Sequence, residues 1–387
     1  MNTPKTVLII LPKLTGYGGM QLENIGFMNS LCEKTNLVIK LFSIEVDYES
    51  KSLINNNVEF YRLKKSLIIR CFSIWFLKLL LRTKFNLRKS VRIYLESHSE
   101  IIKTYLINET KKNDIIFCSL HPQNLVQYVH LFCNLNQRKF FFHPIENLNI
   151  KYSKFYYNLT LEDTVLISSQ HKKEQFKKYT DKPKFKNIRQ WIYTKEDEFF
   201  QNKNIFEGET IFGVISRLSK RKNIILLLKA ISEIKIYNFK VLIFGEGSEL
   251  ESLKLFSKEN SLVDKVFFMG DINYEKRHNA YSKINVFMCT SWSEGGPITV
   301  LEAMAAGLPV ISTNVGDVTN RIINDKNGYV LNDNDDATEL SKLMLNYIKN
   351  TKLIKSHGNY GRRRYLKEYH SKIGKEIFVE KILNSND

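Results

Sequence analysis

The sequence predicts an α/β protein of two doubly wound domains, each a parallel sheet with helices on both faces. Three observations carry this. A length of 387 residues suits two domains at ~150 residues each. Short, almost wholly apolar strands alternate with helical stretches, as parallel strands buried on both faces require. The alternation then occurs twice, either side of a polar stretch without clear periodicity.

In the first half the strand candidates are Val7–Leu11, Leu37–Phe42, Ile115–Ser119, Phe140–Phe142 and Val165–Ser168. In the second they are Ile211–Ile215, Val241–Phe244, Val266–Met269, Val286–Cys289, Val310–Ser312 and Tyr329–Leu331. This gives a first domain over 1–190, a linker over 191–209, a second domain over 210–365, and a C-terminal helix within 366–387 expected to return to the first domain. Sheets of this kind bind ligands at the carboxyl ends of their strands, so two of them are expected to face each other across a cleft.

Hydrophobic residues make up 43% and charged residues 25%, enough for two ordinary cores. The five cysteines (Cys32, Cys71, Cys118, Cys133, Cys289) form no Cys-x-x-Cys pair, which argues against a disulfide framework or a zinc site and fits a reducing compartment. The apolar run before Pro12 is too short for a signal-peptide core, and no stretch approaches the ~20 apolar residues of a membrane span. A cytoplasmic protein is expected.

Lys and Arg number 58 against 40 Asp and Glu, a net +18 that implies an anionic partner. The excess is concentrated. From Arg62 to Arg92 there are ten basic residues and no acid, interleaved with Ile69, Phe72, Trp75, Phe76, Leu77, Leu80 and Leu81. Basic stems around an aromatic and aliphatic stripe suit a surface lying on an anionic bilayer; an amphipathic helix packed on its own domain is the alternative. No nucleic-acid-binding module accompanies the charge, so nucleic acid is not the expected partner.

The chemistry is concentrated after the strand Val286–Cys289. A loop reaches Glu294, then Gly295, Gly296 and Pro297, and Pro297 and Gly307 bracket a short apolar helix by the rule that proline opens helices and glycine closes them. The start of such a helix offers free N–H groups and the positive end of its dipole to an anion, most often phosphate. Glu302 recurs one turn beyond Ile298. Two carboxylates beside a phosphate repel it unless they bind something neutral and rich in donors, and sugar hydroxyls qualify. The arrangement therefore suggests a nucleotide sugar, with Glu302 on the ribose and Glu294 on the transferred sugar; an exposed helical acid and a loop acid are the plain alternative. Upstream, Arg217 and Lys222 follow Ile211–Ile215 and could clamp a diphosphate. Gly245 and Gly247 follow Val241–Phe244 and could admit a ligand to the backbone, and Gly16, Gly18 and Gly19 form a further glycine corner after the first strand.

Together these pieces resemble the retaining glycosyltransferases of family 4, which have the GT-B fold; the resemblance spans most of the chain and is strongest over about 205–335. It implies that Glu294 through Glu302 is the family's Glu-x7-Glu motif, with Glu294 on the donor sugar, Glu302 on the ribose, and the N–H groups near Pro297, Ile298 and Thr299 on the diphosphate. It places the family's cation clamp on Arg217 and Lys222, its first-domain glycine loop on Gly18 and Gly19, and its histidine near the transferred sugar on His121. Ser216, Gly296–Pro297 and Asp317 after Gly316 depart from the family pattern without removing a charged group.

The expected activity is transfer of a hexose-type sugar from a UDP-linked donor to a saccharide acceptor, lipid-linked at the inner face of the cytoplasmic membrane, in O-antigen, capsule or lipopolysaccharide assembly. No metal or other cofactor is expected. Asp333-Asn334-Asp335 looks superficially like an Asp-x-Asp metal motif, but Asp336 and Glu339 read as a helix N-cap and its capping-box partner. Without a metal, Arg217, Lys222 and the helix start would stabilise the leaving diphosphate. Retention follows from the resemblance alone; with no convincing carboxylate nucleophile, a front-face path is preferred. A sugar-nucleotide epimerase of similar fold and a non-catalytic nucleotide-sugar-binding partner are the alternatives.

Overall fold

A computed structural model describes residues 5–11, 14, 19–34, 36–43, 48–60, 108–119, 124–144, 148, 150–193, 195–201 and 208–384. The basic stretch 62–92, Gly16, Gly18 and His121 lie outside the described residues.

Each half builds a parallel sheet. The first has seven strands in the order β3-β2-β1-β4-β5-β6-β7: β1 (Lys5–Leu11), β2 (Leu37–Ser43), β3 (Val58–Phe60), β4 (Ile115–Cys118), β5 (Lys139–Phe142), β6 (Thr164–Ile167) and β7 (Lys184–Asn187). The second has six in the order β10-β9-β8-β11-β12-β13: β8 (Thr210–Ile215), β9 (Phe239–Phe244), β10 (Val266–Gly270), β11 (Val286–Cys289), β12 (Val310–Ser312) and β13 (Gly328–Val330). Every strand expected from the sequence is present. Two were missed: β3 is three residues long, and β7, Lys-Phe-Lys-Asn, has no apolar run.

The described helices before the second sheet are α1 (Gly19–Cys32), α2 (Tyr48–Leu53), α3 (Asn124–Leu135), α4 (Ser153–Tyr157), α5 (Gln170–Lys177) and α6 (Glu196–Phe200). α1 follows β1, and the buried rings of Phe27 and Phe117 meet edge to face, 6.2 Å between centroids. In the second sheet residues alternate between two cores. Phe212, Val214, Val241 and Ile243 face α7 (Ile224–Ile234) and α8 (Leu250–Glu259), whereas Ile215, Phe244 and Phe287 face the opposite core. Gly213 lies at the centre of the sheet because Ile284 occupies the space its Cβ would need, 2.5 Å away.

Packing divides the chain into one unit of residues through Ile167 with Phe176–Lys186, and a second of Ser168–Gln175 with Asn187 onward. The stretch expected to be a linker is not loose. It contains a helical turn, Glu196–Phe200, and Trp191, Ile192 and Phe199 are buried, the last two in a core of the second unit. Polarity averaged over the segment hid three apolar anchors. The last helix (Ser371–Leu383), which the sequence had returning to the first domain, groups with the second unit; Gly374 lies so close to the Trp191 ring that a Cβ would be 2.3 Å from it.

Among the described residues no helix is long and apolar enough to cross a membrane.

Candidate active site

Strand order in the second sheet reverses between β8 and β11, so the chains leaving their carboxyl ends diverge and open a site there. Both departing loops carry charge. After β8, a single 3-10 turn (Lys220–Lys222) ends at Asn223 with φ +48, a left-handed conformation that Asn tolerates. After β11, the loop Thr290–Gly296 is laced to that turn: Thr290 Oγ1 donates to the Lys222 carbonyl at 3.0 Å, and Trp292 N–H to that of Arg221 at 2.9 Å.

Glu294 is the centre of this lacing. Its Oε1 lies 2.5 Å from Lys222 Nζ and accepts from Ser291 Oγ at 2.9 Å, and its Oε2 is 3.2 Å from Arg221 Nη1. Arg221 also donates to the Ser293 carbonyl at 3.0 Å. The carboxylate is one-tenth exposed and so still reaches solvent. Gly316, at φ +54, closes on the Glu294–Gly295 backbone, with the Glu294 carbonyl 2.7 Å from where a Cβ would stand.

The helix that follows, α10 (Ile298–Ala305), ends as the sequence suggests, with Gly307 at φ +73 just beyond it, but Pro297 is the N-cap and not the first helical residue. No side chain caps this end. The N–H groups of Ile298 and Thr299 precede the first intrahelical bond, which joins Val300 N–H to the Pro297 carbonyl at 3.0 Å. An uncapped helix start beside two cations suits an oxyanion.

Three expectations need correction or refinement. Glu302 is completely buried: its Oε2 accepts from Tyr281 Oη at 2.6 Å and lies 3.1 Å from Arg277 Nη2, so it presents no surface to a ribose in this structure. Helical spacing put it on the Ile298 face, but that face is covered by α9 (His278–Tyr281). Gly245 and Gly247 do not lie open for a ligand. Their φ values of +131 and +157 bring them against the carbonyls of Ser216 and Leu218, and Leu218 N–H bonds to the Glu246 carbonyl at 2.8 Å, so they hold the Arg217 loop. Arg217 is exposed and, among the described residues, outside the Glu294 cluster. Gly19 begins α1, and among the described residues beyond its chain neighbours and its own helix backbone no heavy atom lies within 4 Å of where its Cβ would stand.

The Asp-x-Asp lookalike is occupied by hydrogen bonds. Asp336 caps α12 (Ala337–Lys349) by accepting from Glu339 N–H at 2.8 Å, and Glu339 reaches back past the cap to the N–H groups of Asn332 and Asp333. Asp335 accepts the Trp292 indole N–H at 2.6 Å.

Residues 195–364 match the glycosyl transferases group 1 family. That stretch is a little under half of the chain and contains every charged group of the Glu294 cluster. The chain is 30% identical over 125 residues to the O-antigen biosynthesis glycosyltransferase WclY of Escherichia coli, covering 32% of this chain and 34% of that relative. Aligned regions span only 34% to 60% of the length of the curated relatives that come first. Whole-chain likeness comes from structure. Sucrose-phosphate synthase from Thermosynechococcus elongatus superposes with a TM-score of 0.75 at 16% identity, covering 99% of this chain and 100% of the other. The Anabaena protein HepE, in complex with UDP, superposes at 0.71 and 15% identity, covering 98% and 99%. The fold is thus that of the GT-B glycosyltransferases, two Rossmann-like domains, each with a parallel sheet.

Sequence reasoning missed Arg221, Ser291, Arg277 and Tyr281. Arg221 stood next to Lys222 in a run of cations, where spacing alone does not show which side chain turns inward. Arg277 and Tyr281 lie on another element, and nothing local marks them as partners of Glu302.

Proposed function

We propose that this protein is a retaining glycosyltransferase that moves a sugar from a UDP-linked donor to a saccharide acceptor in the assembly of cell-surface polysaccharide. One observation carries the reading: at the sheet reversal, a partly exposed Glu294 is held by Lys222 and Arg221 beside the uncapped start of α10. A carboxylate next to cations and free N–H groups fits a ligand that offers hydroxyls at one point and a diphosphate at the next. The relative named for O-antigen biosynthesis and the neighbour in complex with UDP support the same assignment.

In this reading Glu294 accepts hydroxyl protons of the donor sugar, and the N–H groups of Ile298 and Thr299 hold the diphosphate. Lys222 divides its charge between Glu294 and that diphosphate, and Arg217, exposed in the adjacent loop, adds a second cation. As the bond from the anomeric carbon to the phosphate oxygen breaks, the acceptor oxygen bonds that carbon on the same face. The acceptor proton passes to the departing phosphate. Fixed cations and N–H groups then do the work a metal does in other transferases. The acceptor is lipid-linked in this reading, reached through the basic stretch 62–92.

A panel of nucleotide sugars tests the core of the proposal. A true donor at a hundred times its dissociation constant adds about 2.7 kcal/mol of stability, read as a rise in thermal midpoint. If neither UDP nor any nucleotide sugar shifts the midpoint, the reading is wrong.

A further inference from the structure

Arg321, the last residue of α11 (Val318–Arg321), is fully buried, which is unusual for a guanidinium. Among the described residues its one carboxylate partner, Asp317 Oδ2, stands 3.6 Å from Nε, too far for a hydrogen bond, and Nε has no hydrogen-bond partner. The two terminal nitrogens are engaged. Nη1 donates to the Pro297 carbonyl at 2.8 Å and Nη2 to Gln190 Oε1 at 2.5 Å. The side chain's base is pinned as well, because the Arg321 carbonyl accepts from Asn327 Nδ2 and Arg364 Nη1.

Burying a cation so thinly neutralised is unfavourable compared with an apolar side chain of the same size. What arginine offers in return is a planar fork that fixes two acceptors in one plane. One of those acceptors is the carbonyl of the residue that caps α10. A peptide unit is planar, so holding the Pro297 carbonyl also sets the direction of the Ile298 N–H across the same bond. The other acceptor, Gln190, lies just beyond Asn187, where the chain enters the second unit, and immediately before the buried Trp191. Gly296 makes room for this fork: a Cβ there would lie 2.1 Å from Gln190 Oε1 and 3.0 Å from Arg321 Nη2.

We propose that Arg321 is a positioning residue for the donor site: from behind, it aims the Pro297–Ile298 peptide at the diphosphate and ties that peptide to the chain crossing at Gln190. It touches neither substrate nor reacting atoms. The assignment to donor binding rests on the function proposed above; the fastening itself does not.

Amide hydrogen exchange and UDP titration of wild type, Arg321→Met, Arg321→Lys and Gln190→Ala test the proposal, all below the melting transition. In Arg321→Met, exchange at Val300, whose N–H is bonded to the Pro297 carbonyl, rises about tenfold or more, and UDP affinity falls by a similar factor. Amides of α7 and β9 stay within about twofold of wild type, whereas a merely structural role would raise exchange throughout the unit. The KM for the nucleotide sugar rises more than kcat falls. Arg321→Lys keeps the charge but not the fork and restores little, and Gln190→Ala gives a smaller change of the same kind. Local exchange and UDP affinity both unchanged in folded Arg321→Met overturn the proposal. So does full rescue by lysine. Should Arg321→Met fail to fold, Gln190→Ala with unaltered exchange at Val300 has the same force. A wild-type protein that binds no UDP overturns the donor reading, and the exchange experiment still decides whether Arg321 holds the turn.

Discussion

Lys222 Nζ sits 2.5 Å from Glu294 Oε1 although 72 residues separate the two in the chain. Neither group therefore acts alone. Glu294→Gln and Lys222→Met are each expected to lower kcat/KM by about a hundredfold or more, the usual effect of removing one preorganised charged group. The double variant should be much less impaired than the product of the two losses, because the residues share one interaction. A UDP-release assay measures all three. Stability should fall by about 1–3 kcal/mol in Lys222→Met, because the carboxylate is only one-tenth exposed, while Arg221 remains beside it and limits the loss.

The buried carboxylate of Glu302 behaves differently. Arg277→Met removes its cation and leaves an uncompensated charge in the core, which should destabilise by about 3–5 kcal/mol in urea unfolding. Adding Glu302→Gln to that variant should recover much of the loss. A change under ~1 kcal/mol in Arg277→Met would show that the pair contributes little to folding.

Glycines in the two units should respond differently. Gly245→Ala forces a Cβ to within 1.9 Å of the Ser216 carbonyl at φ +131, and is expected to cost about 1–3 kcal/mol or more and to displace the Arg217 loop. Gly19→Ala, at the first position of α1 and clear of the other described residues, should stay within ~1 kcal/mol of wild type. Thermal midpoints of the two variants make the comparison.

Alkaline pH should weaken the fold. Burial, reinforced by Glu33, pushes the Cys32 thiol up to about 11, and burial raises the thiols of Cys118, Cys133 and Cys289 from their ordinary 9.0. Burial also raises the phenols of Tyr347 and Tyr365. Groups whose values rise on folding contribute stability in full below the unfolded value and lose it as pH climbs toward the folded one. The urea midpoint in reducing buffer should therefore change little between about pH 7 and 9 and fall above it, with a shallower fall in Cys118→Ala. A midpoint that holds steady through that range would contradict this account.

Much of this was legible in the chain. Near-continuous apolar runs such as Val286–Cys289 announce parallel strands, and Gly307 and Asp336 mark helix ends by rules that act over three or four residues. What escaped was of longer range. No local rule says that Tyr281 and Arg277 will cover Glu302, that the glycines at 245 and 247 serve a neighbouring loop, or that Arg321 will point inward at Pro297. Each depends on how two elements meet, and a helical wheel or a loop composition is silent on that. The segment after Trp191 failed for the opposite reason, as three scattered apolar residues decide its burial while the polar majority sets its average.

Strand order has one more consequence, for how the protein is made. β8, β9 and β10 can pair as soon as they are synthesised, but Arg221 and Lys222 have no Glu294 to hold until β11 has emerged and inserted on the other flank of β8. A nascent chain halted before that point would hold three strands of a six-stranded sheet, with both cations of the cluster made and their carboxylate still to come.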